Sequence, residues 1–199
     1  MKNEIIKTVY HNDKEIIQSI LKLYVKKERF ELDPTFSLGK FYKGLIEPKI
    51  KGDLFPQRED VIKMDTTNLK IKDESVSSIC FDPPFLAGYT KGKTSGIIGK
   101  RFEGFRYMQD VWKYYENSIV EFKRILIKGG VLAFKCQDTI SSGKQFFSHC
   151  FIINSGIDNG FLVEDLFINV AKSRIIGHNH HKQKHARKFH SYWIVLIKK

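Results

Sequence analysis

Four acids stand where short apolar runs stop: Asp33 in "ELDPT", Asp53 in "KGDLF", Asp65 in "KMDTT" and Asp82 in "FDPPF". In a fold that alternates strands with connectors, side chains just past the carboxyl ends of the strands face the ligand crevice. One such acid alone suits a turn or a helix cap. Four in the same place relative to successive strands suggest a ligand set. Asp53 follows Asp33 by 20 residues, the separation at which a dinucleotide-type fold sets the acid for ribose hydroxyls. Asp65 then falls where a side chain can bond an adenine edge. The connection "DPTFSLGKFY" holds only Gly39 and lacks G-x-G-x-x-G, which suits a cofactor without phosphates better than a dinucleotide.

Asp82 is followed by Pro83, Pro84 and Phe85. The first proline pushes Asp82 to an extended backbone, and two fixed φ angles follow, so the strand ends in a rigid loop whose prolines have no N–H to donate. The Asp82 carboxylate and the proline carbonyls are acceptors only, and Phe85 adds an aromatic face. A planar group carrying an NH2 matches that set. The amine of a nucleobase is a poor nucleophile because its lone pair is delocalised into the ring. Two acceptors on its N–H bonds, with Phe85 stacked on the base, would turn the lone pair toward an electrophile such as a sulfonium methyl. Positioning matters more here than basicity, since the alkylated ammonium gives up its proton readily.

The elements that must hold these residues follow from periodicity. "DKEIIQSILKLYVKK" carries Ile16, Ile17, Ile20, Leu21 and Tyr24 at helical spacing, and "YMQDVWKYYENSIVEFKRILIKGG" is a second helix that Gly129-Gly130 is expected to stop. "RFELDPT", "PKIKGD", "DVIKMD", "SSICFDPP", "VLAFKCQD", "FLVEDLFINVA" and "SYWIVLIKK" are expected strands, and "GKQFFSHCFIINSGI" an expected helix. This alternation implies an α/β fold with a parallel sheet. A chain of 199 residues is long enough for one well-packed domain, expected to span residues 1–199.

A formal charge of +12 favours a polyanionic partner, nucleic acid before membrane. Cys80, Cys136 and Cys150 lie far apart with no C-x-x-C spacing, so neither a disulfide framework nor a zinc ribbon is indicated and a reducing, cytoplasmic setting is expected. The N-terminal segment lacks the apolar core of a signal peptide, and no apolar run approaches the roughly 20 residues that cross a bilayer.

Two basic stretches interrupt the pattern. Residues 86–104 are rich in Gly and Lys, and residues 172–190 in Lys, Arg and His; irregular segments of this length inside a compact domain are usually functional or disordered. In the first, Lys91, Lys93, Lys100 and Arg101 are expected near phosphates, on a flap over an extracted base. "GYTKGKTS" misses the phosphate-loop pattern, which would need glycine where Ala87 stands. In the second, Arg174, Arg187 and Lys188 are expected to hold phosphates. His178, His180, His181, His185 and His190 have no Cys or acid nearby and many cations around them, which favours nucleic-acid contact over a metal.

The tetrapeptide Asp82-Pro83-Pro84-Phe85 after the fourth strand resembles the Asp/Asn/Ser-Pro-Pro-Tyr/Phe/Trp signature of S-adenosylmethionine-dependent amino-methyltransferases of DNA. "DPTFSLGKFY" is similar to the D-P-F-x-G-S-G-T cofactor motif of that family, with Ser37 at the first motif glycine, Leu38 at the serine and Lys40 at the threonine. "KGD" and "IKMD" fit its second and third acidic positions, and "FKCQD" and "HARKFHSYW" look like its small, phage-type members. The resemblance implies a Rossmann-like class I methyltransferase fold: a mostly parallel seven-stranded sheet, an antiparallel last strand and helices on both faces. It implies S-adenosyl-L-methionine as cofactor, with Asp33, Thr35 and Gly39 along its methionine part, Asp53 on the ribose and Asp65 on the adenine. Asp82 and the Pro83 carbonyl would bind the target amine and Phe85 would stack. The expected reaction is N6 methylation of adenine in DNA. N4 of cytosine, an RNA amine, a protein amide and a catalytically silent nucleic-acid-binding subunit stay open as alternatives. No segment is large enough for a separate target-recognition domain, so a short or relaxed site, or a partner subunit, is expected.

Overall fold

The structure is a computed structural model and describes residues 5–88, 105–172 and 184–199. The elements run β1 (Val9–Tyr10), α1 (Asp13–Ile20), β2 (Leu32–Asp33), β3 (Ile50–Asp53), β4 (Ile62–Lys63), β5 (Val76–Phe81), α2 (Met108–Ile125), β6 (Leu126–Cys136), β7 (Thr139–Ser141), β8 (Lys144–Phe146), α3 (Ser148–Asp158), β9 (Phe161–Val170) and β10 (His190–Lys198). The main sheet has the order β1-β9-β10-β6-β5-β2-β3-β4. β10 runs antiparallel to both β6 and β9, and the other described pairings of the main sheet are parallel. The expected seven strands are all there, with β1 added as a two-residue edge strand beside β9.

Period-two alternation divides the sheet's side chains between two clusters. Cys80, Val131, Ala133, Trp193 and Val195 meet Ile16, Ile17 and Ile20 of α1 on one face. Ile79, Phe81, Leu132, Phe134, Ile194 and Leu196 meet Val111, Tyr115, Ile119 and Phe122 of α2 on the other. Helices therefore cover both faces, and the central stretches Ile79–Phe81 of β5, Val131–Phe134 of β6 and Trp193–Leu196 of β10 are apolar because both of their sides are buried. Asn12 caps α1 by accepting the Glu15 N–H at 2.9 Å. A π-helical stretch, Leu21–Val25, continues that helix to the left-handed Lys26.

Two expected boundaries are wrong. Gly129-Gly130 does not stop α2, which ends at Ile125. The carbonyls of Arg124 and Ile125 are taken by the Glu74 and Ser75 N–H groups, at 3.1 and 2.9 Å, and Leu126 already pairs with Val76. The expected helix "GKQFFSHCFIINSGI" begins only at Ser148. Its first residues pair with Thr139–Ser141 in a hairpin, whose turn at Ser142 and Gly143 has positive φ at both positions, the geometry that matches strand twist. The connections from β2 to β5 carry a single 3-10 turn, Lys40–Tyr42, in place of crossover helices.

Phe134 sits at the centre of the larger cluster, edge-on to Phe81 at 4.8 Å and to Tyr115 at 5.2 Å. Phe134→Ala should lower stability by about 3–5 kcal/mol, read as a shifted urea midpoint at unchanged slope. A loss below 1 kcal/mol would show that this cluster does not carry the core.

Candidate active site

The order of the strands creates the crevice. β2 pairs with β3 on one side and β5 on the other, so the connections that leave them run opposite ways, the place where open α/β sheets take ligands. Thr35 follows β2 and Asp82 follows β5, and the two meet: the Asp82 N–H donates to Thr35 Oγ1 at 2.9 Å. Thr35 in turn donates its hydroxyl and its N–H to Asp33 Oδ1, at 3.1 and 2.8 Å. The other Asp33 oxygen accepts from the Tyr42 hydroxyl at 2.8 Å. Asp33 is 2% exposed. Burial pushes its carboxyl up to about 7, against the opposing pull of the Thr35 and Tyr42 hydrogen bonds.

In front of that chain lies a cavity of about 80 Å³ that brings Thr35, Asp53, Asp65 and Pro84 together, with Leu54, Phe55, Phe105 and Tyr114 as walls. Asp53 is buried and accepts the Ser37 and Phe55 N–H groups, each at 2.9 Å. Asp65 is exposed and accepts the N–H and hydroxyl of Thr67, at 2.9 and 2.8 Å. Three of the five expected cofactor residues thus share the cavity. Asp33 and Gly39 do not line it and stand behind it. Gly39 turns the chain at φ +67°, and a Cβ there would come within 2.4 Å of the Phe36 ring, so the turn needs glycine. Ser37 also has a positive φ, 52°, in the position where the resembling motif carries glycine.

The tetrapeptide is pinned from below. Tyr115, fully buried on α2, donates its hydroxyl to the Pro84 carbonyl at 2.7 Å. The Pro84 carbonyl is thus engaged by the scaffold, and the expectation for the target amine concerned Asp82 and the Pro83 carbonyl alone. Pro83 is buried, and Asp82 and Phe85 are half-buried.

Lys135 was missed. On β6 it follows Val131 and Ala133 in strand alternation, so "VLAFKCQD" places a cation on a buried face, and that is the signal that could have found it. Its ammonium donates to Asp13 Oδ2 at 3.0 Å and lies 3.7 Å from Asp82 Oδ1. Burial alone would lower its pKa, yet the Asp82 and Asp13 carboxylates outweigh burial and hold it above the usual lysine value.

Of the expected phosphate ligands, Lys91, Lys93, Lys100, Arg101 and Arg174 lie outside the described residues, as do His178, His180 and His181. Arg187 is exposed and Lys188 half-buried, just ahead of β10. Since β10 is antiparallel to β6, with Tyr192 opposite Cys136, its start lies at the crevice edge of the sheet. The Gly88 N–H bonds the Phe105 carbonyl at 3.0 Å, and the Ala171 N–H bonds the Phe189 carbonyl at 2.7 Å. His185 contacts the Gly143 carbonyl at 3.2 Å, and His190 the Tyr192 hydroxyl at 2.8 Å. Among the described residues no group of three or more His, Cys, Asp or Glu is arranged to hold a metal, and no helix is long and apolar enough to cross a membrane.

No family model matches this sequence, and no curated protein matches it. Solved structures do share its fold. The 4+2 cyclase SpnF is 12% identical with a TM-score of 0.56, over 93% of this chain and 81% of its own. TrmN from Thermus thermophilus is 14% identical with a TM-score of 0.53, over 94% of this chain and 49% of its own. PvuII DNA methyltransferase (cytosine-N4-specific) is 14% identical with a TM-score of 0.51, over 68% of this chain and 48% of its own. The chain spans about half the length of the PvuII and TrmN chains, and of the protein TTHA0409 from Thermus thermophilus that it also matches. The fold is that of Rossmann-like class I methyltransferases. A cyclase among these neighbours means that the site, and not the fold, must carry any statement about the reaction.

Asp33 binds its proton more tightly folded than unfolded, with a carboxyl raised from 3.8 to about 7. Its contribution to stability is therefore present below that window and lost as pH rises through it. Asp33→Asn should flatten the urea-midpoint profile between about pH 4 and 7. The same fall in the variant would assign the pH dependence to another group.

Proposed function

We propose that this protein is an S-adenosylmethionine-dependent methyltransferase that modifies the N6 amine of adenine in DNA. The observation that carries this reading is the meeting of Asp82-Pro83-Pro84-Phe85 with Thr35 at the switch point of the sheet, beside a cavity that Asp53 and Asp65 also line. The residues fit the cofactor's chemistry. A carboxylate offers about four lone-pair sites, which lets Asp53 serve the Ser37 and Phe55 backbone and the ribose hydroxyls together. Leu54 and Phe55, both exposed at the cavity, suit the faces of an adenine, and Asp65 its amine edge. Asp33 and Gly39 shape the loop that carries Thr35 toward the methionine part. When bound, S-adenosylmethionine supplies an electrophilic methyl on its sulfonium.

The chain's own residues then do the rest. Asp82 and the Pro83 carbonyl accept the two N–H bonds of the target amine, and Phe85 stacks on the base. The Tyr115 bond to Pro84 and the Thr35 bond to Asp82 fix the tetrapeptide before substrate arrives, which is preorganisation in the sense that lowers the barrier. The net charge of +12, with Arg187 and Lys188 at the crevice edge, supplies phosphate contacts, and Lys91, Lys93, Lys100, Arg101 and Arg174 are proposed to join them. A base extracted from the helix reaches the amine site. N4 of cytosine is the second reading, favoured by the fold shared with an N4-specific enzyme; an RNA amine is the third.

Asp82→Ala should abolish methyl transfer to DNA, by at least about 100-fold, while calorimetry still detects cofactor binding and a gel shift still detects DNA. Full turnover in that variant would remove Asp82 from the chemistry. Arg187→Ala with Lys188→Ala should weaken DNA binding and reduce the salt slope by about 2. An unchanged slope would take this segment out of the interface.

A further inference from the structure

Lys135 is 9% exposed, and a buried ammonium is costly unless it is paired and hydrogen-bonded. Its surroundings are built for one position. Asp13, in the first turn of α1, accepts Lys135 Nζ on one oxygen at 3.0 Å and Trp193 Nε1 on the other at 2.8 Å. The ammonium lies 4.3 Å from the centre of the Phe41 ring and 5.7 Å from that of Trp193, cation–π distances that favour the charged form. With one side tied to Asp13, the charge faces Asp82 Oδ1 at 3.7 Å. We infer that Lys135 is a positioning residue that holds Asp82 as an ionised acceptor, so that the group received there is a neutral N–H donor. This deepens, and rests on, the methyltransferase reading above.

Thr35 Oγ1 ties the Asp33 carboxylate to the backbone N–H of Asp82, which brings the two acids close, and their carboxylates repel each other when both are charged. In such a pair the environment decides which one keeps a proton. Asp33 is buried with hydroxyl and amide donors and no cation bonded to it among the described residues, whereas Asp82 faces Lys135. The proton therefore stays on Asp33 and the charge on Asp82. Among the described residues, the other titratable groups tied to this cluster are Asp13 from α1 and Cys136 from β6 beside Lys135, Cys80 from β5 beside both acids, Tyr42 bonded to Asp33, and Tyr115 from α2 beside Asp82. Burial raises both thiols and both phenols well above their ordinary values, so they remain neutral at physiological pH. An ionised Asp82 attracts N–H bonds and repels anions. The arrangement selects a neutral base amine or amide and excludes carboxylate, phosphate and thiolate nucleophiles.

The test compares Lys135→Met, Lys135→Arg and the double variant Lys135→Met/Asp13→Asn, which removes the acid that the single Met variant would leave unpaired. Carbon NMR of the Asp82 carboxyl in the full chain, without substrate, reads its titration directly, and kcat/KM for methyl transfer against pH reads the consequence. Both Met variants should titrate Asp82 at higher pH than wild type, with transfer falling about tenfold per pH unit below the new midpoint, while the Arg variant keeps the wild-type profile. An unmoved Asp82 midpoint in the Met variants, or an equal loss of transfer at every pH, would overturn the assignment. A moved midpoint in a protein that methylates no nucleic acid would leave the Lys135–Asp82 assignment standing and refute the functional reading instead.

Discussion

The site depends on one hydroxyl. Thr35 Oγ1 accepts the Asp82 N–H and donates to Asp33, and so joins the ends of the two strands between which the sheet reverses. A hydrogen bond of this kind contributes only about 0.5–1.5 kcal/mol net, but it fixes the distance between the loop that lines the cavity and the loop that carries the tetrapeptide. Tyr42 and Tyr115 secure it from either side, through Asp33 and through Pro84. The central strands need to be buried on both faces for these loop ends to be rigid, and the two clusters around α1 and α2 provide that.

Charge is distributed around this hydroxyl with economy. Asp13, Asp33 and Asp82 crowd one end of the sheet, and Lys135 is paired with two of them. Asp33 responds by keeping its proton to about 7, so a region of low dielectric is not asked to hold three anions. Further out, Arg58 reaches both Glu47 and Asp60, and Lys51 joins the same two acids. Arg58 also lies 5.1 Å from the centre of the Phe36 ring, the ring that closes on Gly39. These partly exposed pairs add little stability. Their place is to brace the loop between β2 and β3.

Much of this was legible in the residues. The acids at strand ends, the rigid Asp-Pro-Pro-Phe and the strand periodicity each have a local cause, and the structure brings Thr35, Asp53, Asp65 and Pro84 to one cavity. The misses share a different origin. The end of α2 is set by N–H groups of Glu74 and Ser75, about fifty residues away in the chain, which no local pattern reports. The β7–β8 hairpin rests on φ values at Ser142 and Gly143 that apolar spacing does not encode. Lys135 is the exception among the misses, since the alternation with Val131 and Ala133 that puts it on the α1 face is local. Ser37 is the instructive departure: its backbone takes the left-handed form that glycine adopts freely, so the loop keeps the shape of a glycine motif while carrying a side chain. Its N–H still reaches Asp53 at 2.9 Å.

The fold is shared with enzymes of unlike chemistry, a cyclase among them, so the central claim is about the amine site. It is tested most directly by incubating the protein with methyl-labelled S-adenosylmethionine, unmethylated genomic DNA and matched RNA, then digesting to nucleosides and locating the label. The account predicts label in N6-methyladenine from DNA. Label in N4-methylcytosine or in RNA would keep the amine chemistry and change the substrate, and label in no nucleoside, with no cofactor binding by calorimetry, would contradict it.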